Sequence, residues 1–292
     1  MKNKNNNPLV SIIMNCYNGE EFLNESLTSI LNQTYKNWEL IFWDNKSKDS
    51  SKLIFKKFKD KRFYYYCSKK NYPLYKARKL ALKKCRGNLI AFLDVDDWWH
   101  KQKLSQQVKR FKGKNIGLVY SNLYLFNSKT KKYKLWSKNS LPEGSISSKL
   151  LNNYNIGLLT VMINKKILKR FNLNFYSKYK IIGDFDLFLK ISKKSRILCV
   201  QEPLAYYRMH ENNFTLKNQD ILVRELKNWI KINYKDYNST EIETFKSNIN
   251  YLKIRSEINK ENFLKNLIKI LQYPKLSAKM KLLLILLIPK KI

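Results

Sequence analysis

The sequence predicts an α/β protein with a mostly parallel, doubly wound central sheet. Two observations lead to this prediction. Short apolar runs of strand length alternate with stretches of helical periodicity over residues 9–124, and such alternation is typical of a parallel sheet flanked by helices. One apolar run, residues 89–93, is followed at once by Asp94, Asp96 and Asp97. Open α/β sheets bind ligands outside the carboxyl ends of their strands, so we expect the functional site there.

The first half of the chain supplies four predicted strands with helices between them. After the first strand, Asn18 and Glu21 have the spacing of a capping box at the start of a helix. The run 89–93 predicts a strand buried on both faces, and the run 9–14 predicts a first buried strand. The strands are residues 9–14, 38–43, 63–66 and 89–93, and the helices between them start near Asn18, Asp49 and Leu74.

The alternation weakens in the second half. Beyond about Leu216, aliphatic and aromatic residues recur every three or four positions, which predicts helices only. We therefore predict an α/β domain over residues 1–215 and a helical extension over residues 216–292. Between the fourth strand and the extension, the predicted elements are helices 100–111 and 184–191 and strands 116–124, 158–163, 197–200 and 204–209.

The charge of the chain is strongly positive. Its 58 Lys and Arg residues against 22 Asp and Glu residues give a formal net charge of +36. Such a surface favours anionic partners, among them phosphorylated metabolites and the inner leaflet of a membrane. A nucleic-acid-binding protein is the alternative, but the one dense charged cluster at a predicted site is acidic and would repel a phosphate backbone. We therefore expect no nucleic acid among the partners.

Cysteine usage and hydropathy point to the cytoplasm. Cys16, Cys67, Cys85 and Cys199 are far apart and form no Cys-x-x-Cys pair, so neither a zinc site nor a disulfide framework is indicated. No apolar run reaches the roughly 18 residues that suggest a transmembrane helix. We expect a cytoplasmic protein, either free or in peripheral contact with the inner face of the cell membrane.

Polar side chains follow three of the predicted strands. Tyr17 and Asn18 follow the first, Asp44 follows the second, and the acidic cluster beginning at Asp94 follows the fourth. In a parallel sheet these strand ends are neighbours, so the residues are expected to form one acidic crevice. Clustered carboxylates need a cation or hydrogen-bond donors to offset their repulsion, and hard oxygen ligands suit Mg²⁺ or Mn²⁺.

Five motifs occur in order along the chain: residues 8–18, ending in Tyr17-Asn18; residues 29–35, leading to Asp44-Asn45-Lys46-Ser47-Lys48-Asp49; Lys76-Ala77-Arg78; residues 92–97, followed by Lys103-Leu104 and Gln107; and Gly183-Asp184-Phe185-Asp186, followed by Tyr207-Arg208-Met209-His210. Over residues 8–215 their order and spacing resemble those of family 2 glycosyltransferases of the GT-A fold. The resemblance implies an inverting enzyme that moves a sugar from a nucleotide-diphosphate sugar, with UDP as the expected nucleotide, to a hydroxyl group. The implied acceptor is a saccharide or a lipid-linked saccharide in the synthesis of lipopolysaccharide, O-antigen or capsule. A catalytically degenerate partner protein is the alternative.

The resemblance also assigns a donor site. It implies that Tyr17 and Asn18 lie at the nucleotide, that Asp44 accepts from the N–H edge of the base, and that Asp94 binds the ribose. Arg78 would reach the diphosphate with its planar fork. Two alternatives stay open at this point: Tyr17 as ordinary core packing, and Arg78 as an exposed helix residue.

The implied metal site centres on Asp96, which would ligate Mn²⁺ or Mg²⁺ on the diphosphate. His210 is a second candidate ligand, with a structural histidine at a strand end as the alternative. Asp97 is assigned no definite role, and a helix cap is one reading of it.

The general base implied by the resemblance is Asp184, at the start of a helix. An ordinary aspartate has a pKa of about 4, so it is ionised at neutral pH and can accept a proton. Asp186 is the competing candidate, and residues two apart on a helix do not share a face. The family usually has Glu before this aspartate, whereas this chain has Gly183, so the partner of the base is left open. A helix-capping role for Asp184 is a further alternative.

The end of the chain is basic and apolar. Residues 265–292 contain seven lysines and no acid. A helix here would place Leu276, Met280, Leu283, Leu284 and Leu287 on one face. Such a segment could lie in the interface of an anionic membrane, or it could pack onto the catalytic domain or a second subunit.

Overall fold

The computed structural model describes residues 7–258 and 263–287. The chain divides into two compact units, residues 1–210 and residues 211–292. The boundary predicted from the sequence lies after residue 215, and the assignment of functions to the two parts stays a prediction.

The first unit begins with the predicted parallel strands. Four strands lie side by side in the order β3-β2-β1-β4, and every neighbouring pair is parallel. All residues of β1, β2 and β4 are buried, as expected for strands covered on both faces. The elements are β1 (Val10–Cys16), α1 (Glu20–Leu31), β2 (Trp38–Asp44), α2 (Ser51–Lys57), β3 (Phe63–Cys67), α3 (Leu74–Leu82) and β4 (Leu89–Phe92).

The same sheet continues beyond β4 with mixed strand directions. The remaining helices and strands of the first unit are β5 (Trp98–Trp99), α4 (Lys103–Arg110), β6 (Ile116–Asn127), β7 (Tyr133–Leu135), α5 (Ser147–Asn152), β8 (Met162–Asn164), α6 (Lys165–Arg170), α7 (Gly183–Lys194) and β9 (Arg196–Met209). The order is β4-β8-β6-β9-β5. β8 runs antiparallel to β4 and β6, β9 runs parallel to β6, and β5 runs antiparallel to β9. β7 pairs with β6 as a hairpin.

Three predicted strands of the second half differ from the structure. Residues 158–163 were expected to be one strand, but Leu158–Thr160 form a 3₁₀ turn and only β8 pairs in the sheet. Residues 197–200 and 204–209 were expected to be two strands, yet β9 is continuous. Register shifts against β6 near Ser121 and Asn122 absorb the interruption that Pro203 would otherwise cause.

The predicted capping box at Asn18 is wrong. Asn18 has a left-handed backbone (φ 52°), and its Oδ1 accepts from the N–H of Lys48 at 2.9 Å. The N–H groups at the start of the helix instead donate to side chains at the start of α2. Gly19 N donates to Ser51 Oγ and Glu20 N donates to Asp49 Oδ2, both at 2.9 Å. Tertiary acceptors therefore replace the local cap.

The second unit is helical over its described residues, as predicted. Its helices are α8 (Phe214–Lys217), α9 (Gln219–Asn233), α10 (Ser239–Glu257), α11 (Phe263–Leu271) and α12 (Leu276–Leu287). In α12 Leu282 is fully buried in a cluster with Ile270 and Tyr273, whereas Leu276 and Met280 of the predicted apolar face are exposed. The side chains of Leu284 and Leu287 lie outside the described residues. Among the helices that the structure describes, none is long and apolar enough to cross a membrane. Membrane binding by this segment stays a prediction.

Candidate active site

The predicted site residue Asp44 is the last residue of β2, beside the end of β1. Asp44 is buried, and its carboxylate accepts from Ser47 N at 2.7 Å and from the Tyr65 hydroxyl at 2.5 Å. Burial, followed by the hydrogen bond to Asp44, raises the pKa of Tyr65. Asn45 N donates to Cys16 O at 2.7 Å and so joins the two strand ends. The predicted acceptor for a nucleobase thus also holds the turn after β2.

Tyr17 and Asn18 leave β1 beside this turn. Tyr17 is 47% exposed, so the alternative in which it packs in the core is wrong. Asn18 N donates to Ser47 Oγ at 3.0 Å, and its side chain accepts from the turn after β2. Asn18 therefore fixes the backbone from which the exposed Tyr17 ring projects.

Arg78 lies on α3 and is buried, which excludes the exposed-helix alternative. Its Nη2 donates to both carboxylate oxygens of Asp94, at 2.8 and 3.0 Å. Its guanidinium carbon also lies 5.2 Å from the centre of the Tyr75 ring. Burial opposes the charge of Arg78, but Asp94, Tyr75 and Asp184 together raise its pKa. Arg78 is therefore a permanent cation that orients Asp94 from inside the protein.

Asp96 and His210 come together at the other side of the acidic cluster. The Nε2 of His210 lies 3.0 Å from Oδ2 of Asp96, and the imidazole packs against the ring of Phe22 with 5.1 Å between ring centres. No group of three or more His, Cys, Asp or Glu side chains that could hold a metal occurs within residues 7–258 and 263–287. One carboxylate and one imidazole still fit Mn²⁺ or Mg²⁺ that takes its other ligands from a diphosphate and water, as Mg²⁺ commonly does.

Asp97 is a buried structural residue. The helix-cap reading of it is wrong, because α4 begins at Lys103. Its Oδ1 accepts from Arg208 N at 2.9 Å. Burial, and then the charges of Asp96 and Asp94, raise the pKa of Asp97 well above its usual range.

Arg208 holds the acidic loop in place. Its Nε donates to the backbone oxygen of Asp96 at 2.8 Å, and its guanidinium forms an ion pair with Glu25. The guanidinium also lies 4.5 Å from the ring centres of both Phe22 and Trp98. Cation–π contacts of this kind favour a fixed cation, so the loop is braced from β9.

Asp184 lies in the first turn of α7 and is contacted by a residue that the sequence analysis did not single out. The Tyr75 hydroxyl lies 2.9 Å from Oδ1 of Asp184. Burial raises the pKa of Asp184, whereas the charge of Arg78 and the hydrogen bond from Tyr75 lower it. Burial is the largest of these effects, so the pKa of Asp184 lies above its usual range although Arg78 and Tyr75 offset part of the rise.

Gly183 makes room for the Tyr75 ring. A Cβ at position 183 would lie 2.6 Å from atoms of that ring, which is closer than real Cβ atoms approach. A glutamate before Asp184, as the family usually has, is therefore incompatible with Tyr75 in this position. The phenol occupies the space beside the carboxylate.

Asp186 has different surroundings from Asp184. Its side chain is 1% exposed and forms an ion pair with Lys190 at 2.7 Å, one helical turn later. Removing either partner would leave a charge without its counter-ion, and for the buried Asp186 carboxylate that is costly. The structure thus assigns a structural contact to the competing candidate for the base.

Comparison with known proteins decides the family. Residues 11–174 match the model of the family described as Glycosyl transferase family 2. The chain is a family 2 glycosyltransferase. The resemblance read from the five motifs is thereby confirmed, as is the prediction of an enzyme.

The glycosyltransferase has relatives in Escherichia coli. It is 34% identical over 223 residues to the UDP-Glc:alpha-D-GlcNAc-diphosphoundecaprenol beta-1,3-glucosyltransferase WfgD, and the aligned part covers 73% of this chain and 85% of WfgD. It is 32% identical over 220 residues to WfaP, whose name states the same activity, with 74% of this chain and 84% of WfaP covered.

Solved structures share its fold. TarS of S. aureus in complex with UDP superposes with a TM-score of 0.64 at 18% identity, covering 94% of this chain and 80% of that chain. The mannosyltransferase PcManGT from Pyrobaculum calidifontis, in complex with GDP-Man and Mn²⁺, gives a TM-score of 0.63 at 15% identity, with 96% and 79% covered. The predicted GT-A fold of the glycosyltransferase is confirmed.

Tyr75 and Glu25 of this glycosyltransferase were not predicted from the sequence as residues of the site, and Arg208 was given no role. Tyr75 and Asp184 are 109 positions apart, and Arg208 and Glu25 are 183 apart. Arg208 had a sequence signal, since it lies within the last motif. Tyr75 had an indirect one, because a glycine where the family has glutamate leaves a space that another side chain must fill.

Proposed function

We propose that this glycosyltransferase moves a hexosyl group from a UDP-sugar to a hydroxyl of a saccharide carried on a lipid diphosphate, with inversion at the anomeric carbon. The two relatives from E. coli support the substrate class, since both names give UDP-Glc as donor, a GlcNAc-diphosphoundecaprenol acceptor and a β linkage. UDP-glucose is an α-glycoside, so a β product requires inversion. The observation that carries the reaction type is the Asp184 carboxylate, held by Tyr75 in the field of Arg78.

The donor would bind along the strand ends. The exposed ring of Tyr17 offers a flat face to the base, and Asp44 has acceptor capacity for its N–H edge because a carboxylate oxygen has two lone pairs. Asp94 would accept from the ribose hydroxyls. Arg78 donates to both oxygens of Asp94, so we assign it primarily to orienting that carboxylate and only through the field of its charge to the diphosphate.

Asp96 and His210 would hold Mn²⁺ or Mg²⁺, which supplies Lewis-acid stabilisation of the departing nucleoside diphosphate when bound. Arg208 prepares this site through its contact with the backbone oxygen of Asp96. Asp97 is kept out of the ligand set by its burial and its hydrogen bond from Arg208 N.

Asp184 would act as the general base. Its carboxylate takes the proton of the acceptor hydroxyl while that oxygen forms its bond to the anomeric carbon, and the bond from the anomeric carbon to the diphosphate oxygen breaks with its electron pair. Burial raises the pKa of Asp184 and so strengthens it as a base. The charge of Arg78 and the hydrogen bond from Tyr75 limit that rise in pKa.

A lipid diphosphate acceptor would place the enzyme at the cytoplasmic face of a membrane. UDP-sugars are made in the cytoplasm, and the lipid lies in the bilayer. We accordingly propose residues 1–215 as the catalytic domain and residues 216–292 as an extension that could reach the bilayer.

The test is a transfer assay with a panel of UDP- and GDP-hexoses and α-GlcNAc-diphosphate on a short lipid. We expect UDP release matched by a disaccharide product whose new linkage is β by NMR. An α-linked product would overturn the inverting mechanism. Transfer from a GDP-sugar alone would overturn the donor class, and transfer only to saccharides without the diphosphate would overturn the acceptor class.

A further inference from the structure

The hairpin formed by β6 and β7 is basic and exposed. We define the basic hairpin as residues 127–138. It contains five lysines, all exposed: Lys129, Lys131, Lys132, Lys134 and Lys138. The chain has no acidic residue between Asp97 and Glu143, so the hairpin carries no carboxylate of its own to offset these charges.

The basic hairpin also exposes two aromatic rings. Tyr133 is 56% exposed and Trp136 is 47% exposed. The five other tryptophans of the chain are buried or half-buried. Tyrosine and tryptophan combine an apolar ring with a polar group, and they are enriched where membranes meet water.

The backbone of the basic hairpin is well held. Oδ1 of Asn127 accepts from Lys129 N at 3.0 Å and from Thr130 N at 2.9 Å. Trp136 N donates to Leu123 O at 2.9 Å, and the Tyr133 ring packs 4.9 Å from that of Phe126. The backbone of the hairpin therefore needs little further ordering on binding.

The basic hairpin begins beside the candidate metal site. Asn127 is the register partner of Met209, and Ser128 N donates to Met209 O at 3.0 Å. The next residue, His210, contacts Asp96. A surface bound by the hairpin would thus lie at the edge of the sheet where the reaction is proposed.

We propose that the basic hairpin binds an anionic phospholipid surface, with its lysines at the headgroup phosphates and the rings of Tyr133 and Trp136 in the interface. Lysine clusters and interfacial aromatic rings are the two features that such a surface attracts. The inference rests on the proposed function, because a lipid diphosphate acceptor lies in such a surface. It is separate from the predicted membrane contact of the C-terminal tail.

The test compares two matched triple variants of the full chain. One variant carries Lys131→Gln, Lys132→Gln and Lys134→Gln in the basic hairpin. The control carries Lys56→Gln, Lys57→Gln and Lys59→Gln, which removes three exposed lysines in and after α2. Flotation at moderate salt measures the affinity of each variant for vesicles in which about a quarter of the lipid is phosphatidylglycerol and the rest is phosphatidylcholine. We expect about a 100-fold loss of vesicle affinity for the hairpin variant and no more than about a threefold loss for the control.

A second measurement reports the hairpin itself. Brominated lipids quench tryptophan that enters the interface, so we expect vesicles containing them to quench the wild-type protein and to have little effect on Trp136→Phe. Equal losses of affinity in both triple variants, or equal quenching of wild type and Trp136→Phe, would overturn the proposal. So would hairpin-dependent binding of a DNA duplex without hairpin-dependent binding of vesicles.

The reaction is assayed separately with a water-soluble acceptor that carries the sugar diphosphate on a short chain. We expect the hairpin variant to keep wild-type turnover with this acceptor. Loss of turnover there would overturn the proposed docking role, since it would place the lysines in the reaction itself. Absence of transfer by the wild-type protein would overturn the proposed function and leave the vesicle result to decide on the hairpin.

Discussion

The hydroxyl oxygen of Tyr75 lies 2.9 Å from Oδ1 of Asp184 and 2.5 Å from the carbonyl oxygen of Ile181. A phenol has one proton and can donate it fully to only one of two acceptors. Donation to Asp184 favours the ionised carboxylate. Once Asp184 has taken a proton, its own O–H can donate to Tyr75, and the phenol proton can turn to Ile181. The protonation state of Asp184 and the orientation of the Tyr75 hydroxyl are therefore coupled.

Tyr75→Phe should lower kcat about tenfold near neutral pH and move the acidic limb of the pH profile upward. A hydrogen bond to the charged form lowers the pKa of Asp184, so its loss raises that pKa, and a higher pH is needed to ionise the base. The deficit should shrink as pH rises. Tyr120→Phe is the matched control, because its buried hydroxyl donates to Pro142 O at 2.6 Å. An unchanged pH profile in Tyr75→Phe would contradict the positioning role.

Asp184→Asn should bind the donor almost normally and lose about 10² or more in kcat, since the amide keeps the shape but cannot accept the proton. Asp186→Asn should keep kcat and lower the melting temperature, because the buried ion pair with Lys190 is lost. Steady-state kinetics and thermal unfolding of both variants decide the assignment. If Asp186→Asn is the inactive one, the two roles must be exchanged.

Gly183→Ala should destabilise the first unit by about 1–3 kcal/mol, because the new methyl group collides with the Tyr75 ring. The cost should fall in a Tyr75→Ala background, where the space is empty. Urea unfolding of the two single variants and the double variant measures this coupling. Purely additive effects would show that the ring does not occupy the position described.

Removal of divalent metal with EDTA should abolish turnover, and Mn²⁺ or Mg²⁺ should restore it. Asp96→Ala should be inactive and folded, since the diphosphate would lose its metal. His210→Ala should keep activity but need about 10–100 times more metal, as expected when one ligand of a weak site is removed. Full activity of the wild-type enzyme in EDTA would remove the metal role from both residues.

The sequence by itself determined the parallel half of the sheet and the carboxylates at its edge. Apolar runs of strand length were enough to predict β1, β2 and β4, because a strand covered on both faces must be apolar along its length. The aromatic run that predicted β3 forms the strand at the end of the sheet, which is only half-buried. The same prediction places Asp44, Asp94 and Asp96 close together, because these residues come at or after the carboxyl ends of parallel strands and those ends lie at one edge of the sheet. The motifs added the family, which the comparisons confirm.

Only the tertiary structure decided which polar groups are partners. Asp97 looked like a member of the open acidic cluster, yet Arg208 from β9 meets it in the interior. Asp184 and Asp186 are alike in sequence, and their environments differ because Tyr75 approaches one side of α7 and Lys190 pairs on another. Hydrophobic periodicity reports which face of an element is buried. It carries no information on which distant donor meets a buried carboxylate, and such a donor lowers the pKa that burial raises.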